Sequence, residues 1–545
     1  DQPRSRGLGD VYKRQVFVAA AVAAATACAK QAPFVLQEEA AAPEFSVMQH
    51  PALPAHSLRV HRPPGSLCER KNGTVSLSGY LDVDLDKLLE QDDASGAESV
   101  YPAEVRALRG HGVVEHFYFW AFESRSQPAT DPVTLWLNGG PGCSSFTGLL
   151  MELGPCNAAP PKDGAGRTRW NPHAWSSNST VVFLDQPVGV GFSYASWKNT
   201  SRPGSPPSRI FDTPGAARDV SAFLHLLSLH QGRSGMSRKF HMAGESYAGR
   251  YLPLFASQLL RDNEHYERFP EHGLRPVPLE SILIGNGITS PMVQNPAFID
   301  YACTDASGKG PFLDEHTCDR MRAKWPVCRR LLEQCNEQRG NVPYSRLRCQ
   351  SATTFCAGAL QSPWDKTNSS YYDYLHKPDY DEEEWVSVFL NDPHTRKHLG
   401  VDSRGPGDKH DGTFVGCSDQ VYYDFDQTGD GARDSTWAVE EVLRKGVRVL
   451  SYSGKRDFIC NFIGNGRWTL DLDWPGRDAF RAAPLEPWFV QGRDSPAGYF
   501  RHHANLTYAI VEDAGHFVPL DQPVAALEML RRWELGSHKG RLDTL

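Results

Sequence analysis

One recurring unit limits the fold more than any other feature of the chain. Short runs of β-branched and aromatic residues stop at Gly, Asn, Asp or Pro: HFYFWAFES from His116, VTLWLN at 133–138, VVFLDQP at 181–187, FHMAGES at 240–246, ILIGNG at 282–287, VRVLSYSG at 447–454 and YAIVEDAG at 508–515. Runs of this length and composition are central strands feeding loops. Helical periodicity fills 217–229, 251–260 and 524–533 between or after them. Strands alternating with helices specify an α/β protein with a central, mostly parallel sheet, and they place function at the carboxyl ends of the strands.

The rhythm breaks between about 290 and 420. Cys303, Cys318, Cys328, Cys335, Cys349 and Cys356 crowd into this stretch, which reads as an inserted, disulfide-tied helical cap subdomain. Zinc is the competing reading; the absence of any Cys-x2-Cys pair argues against it. The expected organisation is a core in two parts, 66–290 and 421–545, around a cap at 291–420.

The N-terminal segment carries its own signal. Residues 16–29 read VFVAAAVAAATACA after Lys13 and Arg14 and end in Ala27-Cys28-Ala29, the pattern of a secretory signal peptide and too short to span a bilayer. Residues 1–15 are expected to be translated adaptor sequence, and 30–65, rich in Ala, Pro and Glu, to be a propeptide or extended arm. Further along, the acidic stretch Glu90-Gln91-Asp92-Asp93 is expected as a solvated surface insertion. No later apolar run has transmembrane length, so no membrane anchor is expected.

Hydrophobic residues at 40% and charged residues at 22% are ordinary globular usage, and the formal charge is −8. Residues 1–29 hold four basic and two acidic side chains, so the remainder stands at −10. Such a balance argues against a nucleic-acid partner, which normally leaves a basic footprint. With a signal peptide, Asn72, Asn178, Asn199, Asn368 and Asn505, each in Asn-x-Ser/Thr, are expected N-glycan acceptors on the secretory pathway.

The chemistry starts at Ser246. A strand, FHMAGES, runs into the helix-forming YAGRYLP, and the tight strand-to-helix turn of a nucleophile elbow pushes a serine hydroxyl out of the sheet top. A serine there is otherwise a helix N-cap, and Ala248 stands where the second Gly of G-x-S-x-G belongs, with Gly249 next. A nucleophilic serine needs a base, and the base an orienting carboxylate. Asp457 follows VRVLSYSG and His516 follows YAIVEDAG. Among 20 histidines and many loop aspartates, three correct residue types, each at a strand end and in the order Ser, Asp, His, point to the α/β-hydrolase fold.

WLNGGPGCSS at 136–145, ELGP at 152–155, LDQPVGVGFSY at 184–194, GESYAGRYLP at 244–253, IGNG at 284–287, GKRDFICN at 454–461 and GHFVP at 515–519 together resemble the serine carboxypeptidases. The resemblance runs from about Gly79 to Trp533 and implies release of single residues from peptide C-termini through an acyl-enzyme. It implies Ser246 as nucleophile, His516 as general base then acid, Asp457 as orienter of the imidazole, and the N–H groups of Gly140 and Tyr247 as oxyanion hole. It assigns Asn138, Gly139, Glu152 and Glu245 to the substrate's terminal carboxylate, and Thr147, Met151 and Phe517 to the pocket for the departing residue. Carboxylic acids can hold a carboxylate only if they carry protons, so Glu152 and Glu245 are expected to titrate high and binding to weaken from acidic toward neutral pH.

The resemblance also implies the pairs Cys143 with Cys417, Cys303 with Cys318, Cys328 with Cys356 and Cys335 with Cys349, and makes Cys460 a free thiol beside the site. Twelve cysteines suggest six pairs, but loss of Cys28 with the signal peptide leaves eleven, with Cys68 and Cys156 as a candidate fifth pair. The expected protein is a monomeric or homodimeric, acid-optimal serine carboxypeptidase of the vacuole, lysosome or extracellular space, made as a zymogen and needing no cofactor or metal. Two other readings stand beside it. One is an acyltransferase on the same scaffold, against which Glu245 argues because such relatives tend to carry Asp there. The other is a non-catalytic binding partner, against which the intact triad argues.

Overall fold

Each apolar run named above forms a strand, and its alternate residues are buried on opposite faces. Leu135 and Leu137, Ile282 and Ile284, and Val449 join one apolar cluster, while Trp136, Leu283 and Leu450 from the same strands join another. The period of two with both faces apolar is what a strand sandwiched between two layers requires. The computed structural model describes residues 44–68, 75–94, 101, 103–162, 165–199, 204–232, 238–337, 343–376, 380–402 and 412–535. The expected adaptor and signal segments, Asn72 and Cys28 lie outside the described residues.

In chain order the strands are β1 (Ser46–Gln49), β2 (His56–His61), β3 (Ser76–Asp84), β4 (Val113–Phe122), β5 (Val133–Leu137), β6 (Cys156–Lys162), β7 (Ala165–Trp170) and β8 (Thr180–Leu184). They continue as β9 (Tyr194–Trp197), β10 (Phe240–Glu245), β11 (Leu279–Gly285), β12 (Arg448–Gly454), β13 (Glu486–Trp488), β14 (Gly498–His503) and β15 (Leu506–Val511). Thirteen make one sheet in the order β1-β2-β3-β4-β8-β5-β10-β11-β12-β15-β14-β13, with β9 also on β4, and β6 and β7 form a separate hairpin. From β8 through β15 every pairing is parallel; both flanks are antiparallel. Helices Thr213–His230 and Ala248–Arg268 cover one face, and helix Pro523–Leu535 packs Met529, Leu530 and Trp533 into the other.

Residues 44–65, the visible part of the segment expected as a propeptide or arm, contribute β1 and β2 to the sheet edge, with Leu58 and Val60 in the core. The acidic stretch at 90–93 lies in helix Leu85–Ala94, where Glu90, Gln91 and Asp93 are exposed and Asp92 is buried.

Between β11 and β12 the chain is helical. Helices Ala297–Cys303, Glu315–Asn336 and Pro343–Cys356 enclose a core of their own, in which Tyr301, Leu332, Leu360 and Trp364 pack with six cysteines. Phe458, from the loop after β12, stacks on Trp364 with ring centroids 4.1 Å apart, so a core loop plugs into the helical region. Leu390 and Leu399 pack instead with the second apolar layer of the sheet.

The disulfides are Cys68–Cys156, Cys143–Cys417, Cys303–Cys318, Cys328–Cys356 and Cys335–Cys349; Cys460 is the free cysteine among the described residues. In denaturant without reductant, a chain beginning at residue 44 therefore takes up one equivalent of alkylating reagent, at Cys460, and eleven after reduction. Peptide mass mapping checks this, and labelling at several cysteines before reduction contradicts the pairing.

Candidate active site

β10 ends at Glu245 and helix Ala248–Arg268 begins three residues on, so the chain must reverse at Ser246. Ser246 takes φ = 62°, a left-handed conformation that is costly for a residue with a Cβ. Its N–H donates to the carbonyls of Gly285 and Asn286, at 3.0 and 3.1 Å, and its own carbonyl accepts from Gly249 and Ile288. Gly is needed at 249, and not at 248, because a Cβ there would lie 2.6 Å from Ile288 N and 2.7 Å from Gly287 Cα. Gly139 is constrained in the same way: its Cβ would lie 2.3 Å from Tyr247 N. The NGGPG loop thus lies directly against the turn that carries the serine.

Asp457 and His516 leave β12 and β15, strands that are parallel neighbours. His516 Nδ1 and Asp457 Oδ2 are 2.7 Å apart, and both residues are almost fully buried. Asp457 Oδ2 also accepts from Asn286 Nδ2 at 2.7 Å, and Oδ1 accepts from Cys460 N at 3.1 Å. Tyr371 and Tyr372, on a segment of the helical region, receive the N–H groups of Phe458, Ile459 and His516 on their carbonyls. Ser246 Oγ does not hydrogen-bond His516 Nε2 in this geometry; such contacts are often long until substrate closes on them.

Tyr247 follows Ser246 directly, and Gly140, at φ = 108°, follows Gly139, which lies against the serine turn; neither N–H is spent on another acceptor among the described residues. Tyr247 is further fixed through its hydroxyl, which donates to Asp430 Oδ2 at 2.7 Å. Arg250 grips both oxygens of Asp430, and Thr213 donates to Oδ2. These charges hold the Asp430 carboxyl below its ordinary range against the effect of burial. The sequence reading missed this anchor. Arg250 within GESYAGRYLP was its local signal, but Asp430, 180 residues on, had none.

Glu152 and Glu245 are buried together. Asn138 Oδ1 accepts from Trp136 Nε1 and Gly148 N, both at 2.9 Å, which turns its Nδ2 toward Glu245 Oε1 at 2.8 Å. No N–H or hydroxyl donor among the described residues reaches either oxygen of Glu152. Burial pushes the Glu152 carboxyl up to about 8, with the neighbouring Asp521 adding to the rise and contact with Glu245 and Asn138 opposing it. Burial, then the charge of Glu152 and of Asp457, pushes Glu245 well above the usual range. Both acids therefore carry protons in acid and can donate to an anion.

Met151 and Glu152 lie on the π-helical turn Gly148–Leu153, which Thr147 precedes. The short helix Val518–Asp521 packs on that turn, so Phe517, just before it, comes to the same side. Its ring is 5.5 Å from Tyr372 and 5.2 Å from Tyr380. Cys460 is buried within hydrogen-bond reach of Ser246, and burial with the charges of Asp457 and Glu245 holds its thiol protonated. Asp457, Cys460 and His516 place ligand-type atoms within 4.8 Å of one another. Both Asp457 oxygens already accept N–H donors, however, an arrangement suited to proton transfer and not to metal ligation.

A family model described as serine carboxypeptidase matches residues 109–536. Carboxypeptidase Y homolog A of Leptosphaeria maculans is 36% identical over 77% of this chain and 71% of its own length. Carboxypeptidase Y of Candida albicans is 36% identical over 89% and 78%. A vacuolar serine-type carboxypeptidase of Saccharomyces cerevisiae is 36% identical over 78% and 77%. Among solved structures, the prohormone-processing carboxypeptidase Kex1 of Saccharomyces cerevisiae superposes with a TM-score of 0.67 at 22% identity, over 86% of this chain and 94% of that one, a likeness of fold.

The buried carboxyls set the direction of the stability profile. Glu152 and Glu534 are raised to about 8, Asp185 to about 7 and Asp521 to about 6, each chiefly by burial. Between their ordinary range near 4 and those values the folded protein binds more protons than the unfolded chain, so stability falls as pH rises. Asp82, Asp219 and Asp430 are depressed by their cationic partners and lose their contribution only as pH falls below about 3.8. The melting temperature is thus highest near pH 4 and declines toward pH 8, with a shallower decline in Glu152→Gln. A melting temperature that climbs steadily from pH 5 to 8 contradicts this.

Proposed function

Since this chain belongs to the serine carboxypeptidase family and is a serine-type carboxypeptidase, we propose that Ser246, His516 and Asp457 are its catalytic residues. The observation that carries the reading is the union of a left-handed serine turn with a buried Asp–His contact beside two protonatable glutamates. Ser246 Oγ attacks the carbonyl carbon of the last peptide bond while His516 Nε2 takes the hydroxyl proton, and Asp457 holds the imidazole through Nδ1. The N–H groups of Gly140 and Tyr247 hold the oxyanion. His516 returns the proton to the leaving amine, the C–N bond breaks, and an ester to Ser246 remains. Water then attacks the ester with His516 again as base; the freed acid leaves and the serine regains its proton.

The terminal carboxylate docks on Asn138, Gly139, Glu152 and Glu245, the two acids donating protons to it. An exopeptidase needs a selector that accepts a free C-terminus and refuses an internal bond, and protonated carboxyls that can donate to an anion provide one. Thr147, Met151 and Phe517 line the space for the departing side chain, where two large apolar groups favour hydrophobic residues. The secretory route, an acidic working range and glycans at the exposed Asn199 and Asn368 and the half-buried Asn178 and Asn505 belong to the same proposal.

In Ser246→Ala, release of the C-terminal residue from an N-blocked dipeptide falls by about 10⁴-fold or more; undiminished release rejects the assignment. The second expectation concerns pH. With Glu152 near 8, KM for such a dipeptide stays low through the acid range and rises as pH passes about 8, higher than the acidic-to-neutral window that the sequence suggested. The same peptide as its C-terminal amide shows no such rise, because it presents no anion. Parallel KM profiles for acid and amide contradict the carboxylate assignment.

A further inference from the structure

The loop IGNG after β11 is a motif that the catalytic assignment leaves unused. Asn286 in it has φ = 42°, a second left-handed residue beside that of Ser246. Four of its polar atoms are engaged, and they reach three separate pieces of the site. Its carbonyl accepts the Ser246 N–H at 3.1 Å, and its own N–H donates to Tyr452 O at 2.7 Å. Its Nδ2 donates to Asp457 Oδ2 at 2.7 Å, and its Oδ1 accepts from Gly454 N at 3.2 Å. The residue is fully buried.

We propose that Asn286 is a positioning residue that sets the nucleophile turn and the Asp457 carboxylate in one register. The proposal rests on the reading of Ser246, His516 and Asp457 as the triad. Its Oδ1 is already taken by Gly454 N, so the amide cannot flip, and Nδ2 must face the carboxylate. Oδ2 of Asp457 is shared between this donor and His516 Nδ1, which fixes the carboxylate plane from the sheet side while Cys460 N fixes Oδ1 from the other. The residue acts through Asp457 and not on substrate.

Removing the Nδ2 donor takes away a hydrogen bond that favours the anionic form of the Asp457–His516 pair, so the pair binds its proton more readily. Other titratable groups that face it are Cys460, Glu245, Asp373, Tyr301, Tyr380 and Tyr372, whose ring centroid is 4.9 Å from that of His516. None of these is altered by the substitution. Glu152 and Glu245 act on substrate binding and so on KM, whereas the acid limb of kcat reports the pair in the bound complex.

The test uses the full chain and two variants. Asn286→Gly keeps the left-handed backbone accessible, and Asn286→Ala retains a Cβ should the glycine variant fail to fold. With an N-blocked dipeptide from pH 4 to 7.5, kcat at the optimum falls roughly 10- to 100-fold, the range for a lost hydrogen bond to a charged group. KM changes less than about twofold, and the acid limb of kcat moves to higher pH. A kcat within twofold of the parent, or a reduced kcat with the acid limb in place, overturns the proposal. Labelling of the parent chain by a fluorophosphonate, located by peptide mass mapping, tests the underlying reading separately: label at a residue other than Ser246 removes the triad itself.

Discussion

The site is organised by one short contact between buried groups, His516 Nδ1 to Asp457 Oδ2, and two separate bodies of structure meet to hold it. Burying an anion is expensive unless its lone pairs are filled, and here the donors come from three places: Asn286 after β11, Cys460 from the loop after β12 and His516 after β15. Parallel neighbours in the order β11-β12-β15 release their chains at the same sheet end, so a carboxylate on the middle strand is the natural meeting point. The helical region closes the arrangement from above. It offers the carbonyls of Tyr371 and Tyr372 to the N–H groups beside Asp457 and on His516, and Trp364 receives Phe458. The region is therefore part of what holds the Asp–His contact in place.

The same burial has the opposite effect a few residues away. Asp457 accepts three hydrogen bonds, whereas neither oxygen of Glu152 meets a donor. A buried carboxyl with too few donors takes up a proton, and the charge of Glu152 raises Glu245 further. The cavity thus holds two chemically distinct kinds of carboxyl group, distinguished by what points at them and not by residue type. One orients an imidazole; the other kind can bind an anion. On the proposed reading, cleavage restricted to a free C-terminus rests on that division.

Sequence alone exposed the elements whose signal is local. The seven strands were legible because each is a compact apolar run, and Ser246, Asp457 and His516 because each sits at the end of one. What was hidden depends on distance along the chain. The alternation of Leu58 and Val60 in β2 is only six residues long and lies in an Ala- and Pro-rich segment that suggested an arm. Helix Leu85–Ala94 has a strongly acidic exposed side, which read as a solvated insertion although Leu85, Leu88 and Leu89 are buried. Asp430 supports Tyr247 from 183 residues away, and no pattern near either residue announces it. Asn286 was visible within IGNG, but its role appears only when β12 is laid beside β11.

The one unpaired thiol among the described residues follows from the same electrostatics. Cys460 follows Asp457 closely because its N–H is needed on Oδ1, and a two-residue turn of backbone delivers it there. The buried side chain then lies within reach of Ser246 and close to Asp457 and Glu245. A thiolate at that point would face Asp457 and the Glu245 carboxyl without solvent to screen it, so the thiol keeps its proton and is a poor nucleophile. Its burial also keeps it from the ten cysteines that pair elsewhere. In the proposed mechanism the serine hydroxyl escapes this constraint, because it passes its proton to His516 as it attacks and never stands as a free anion.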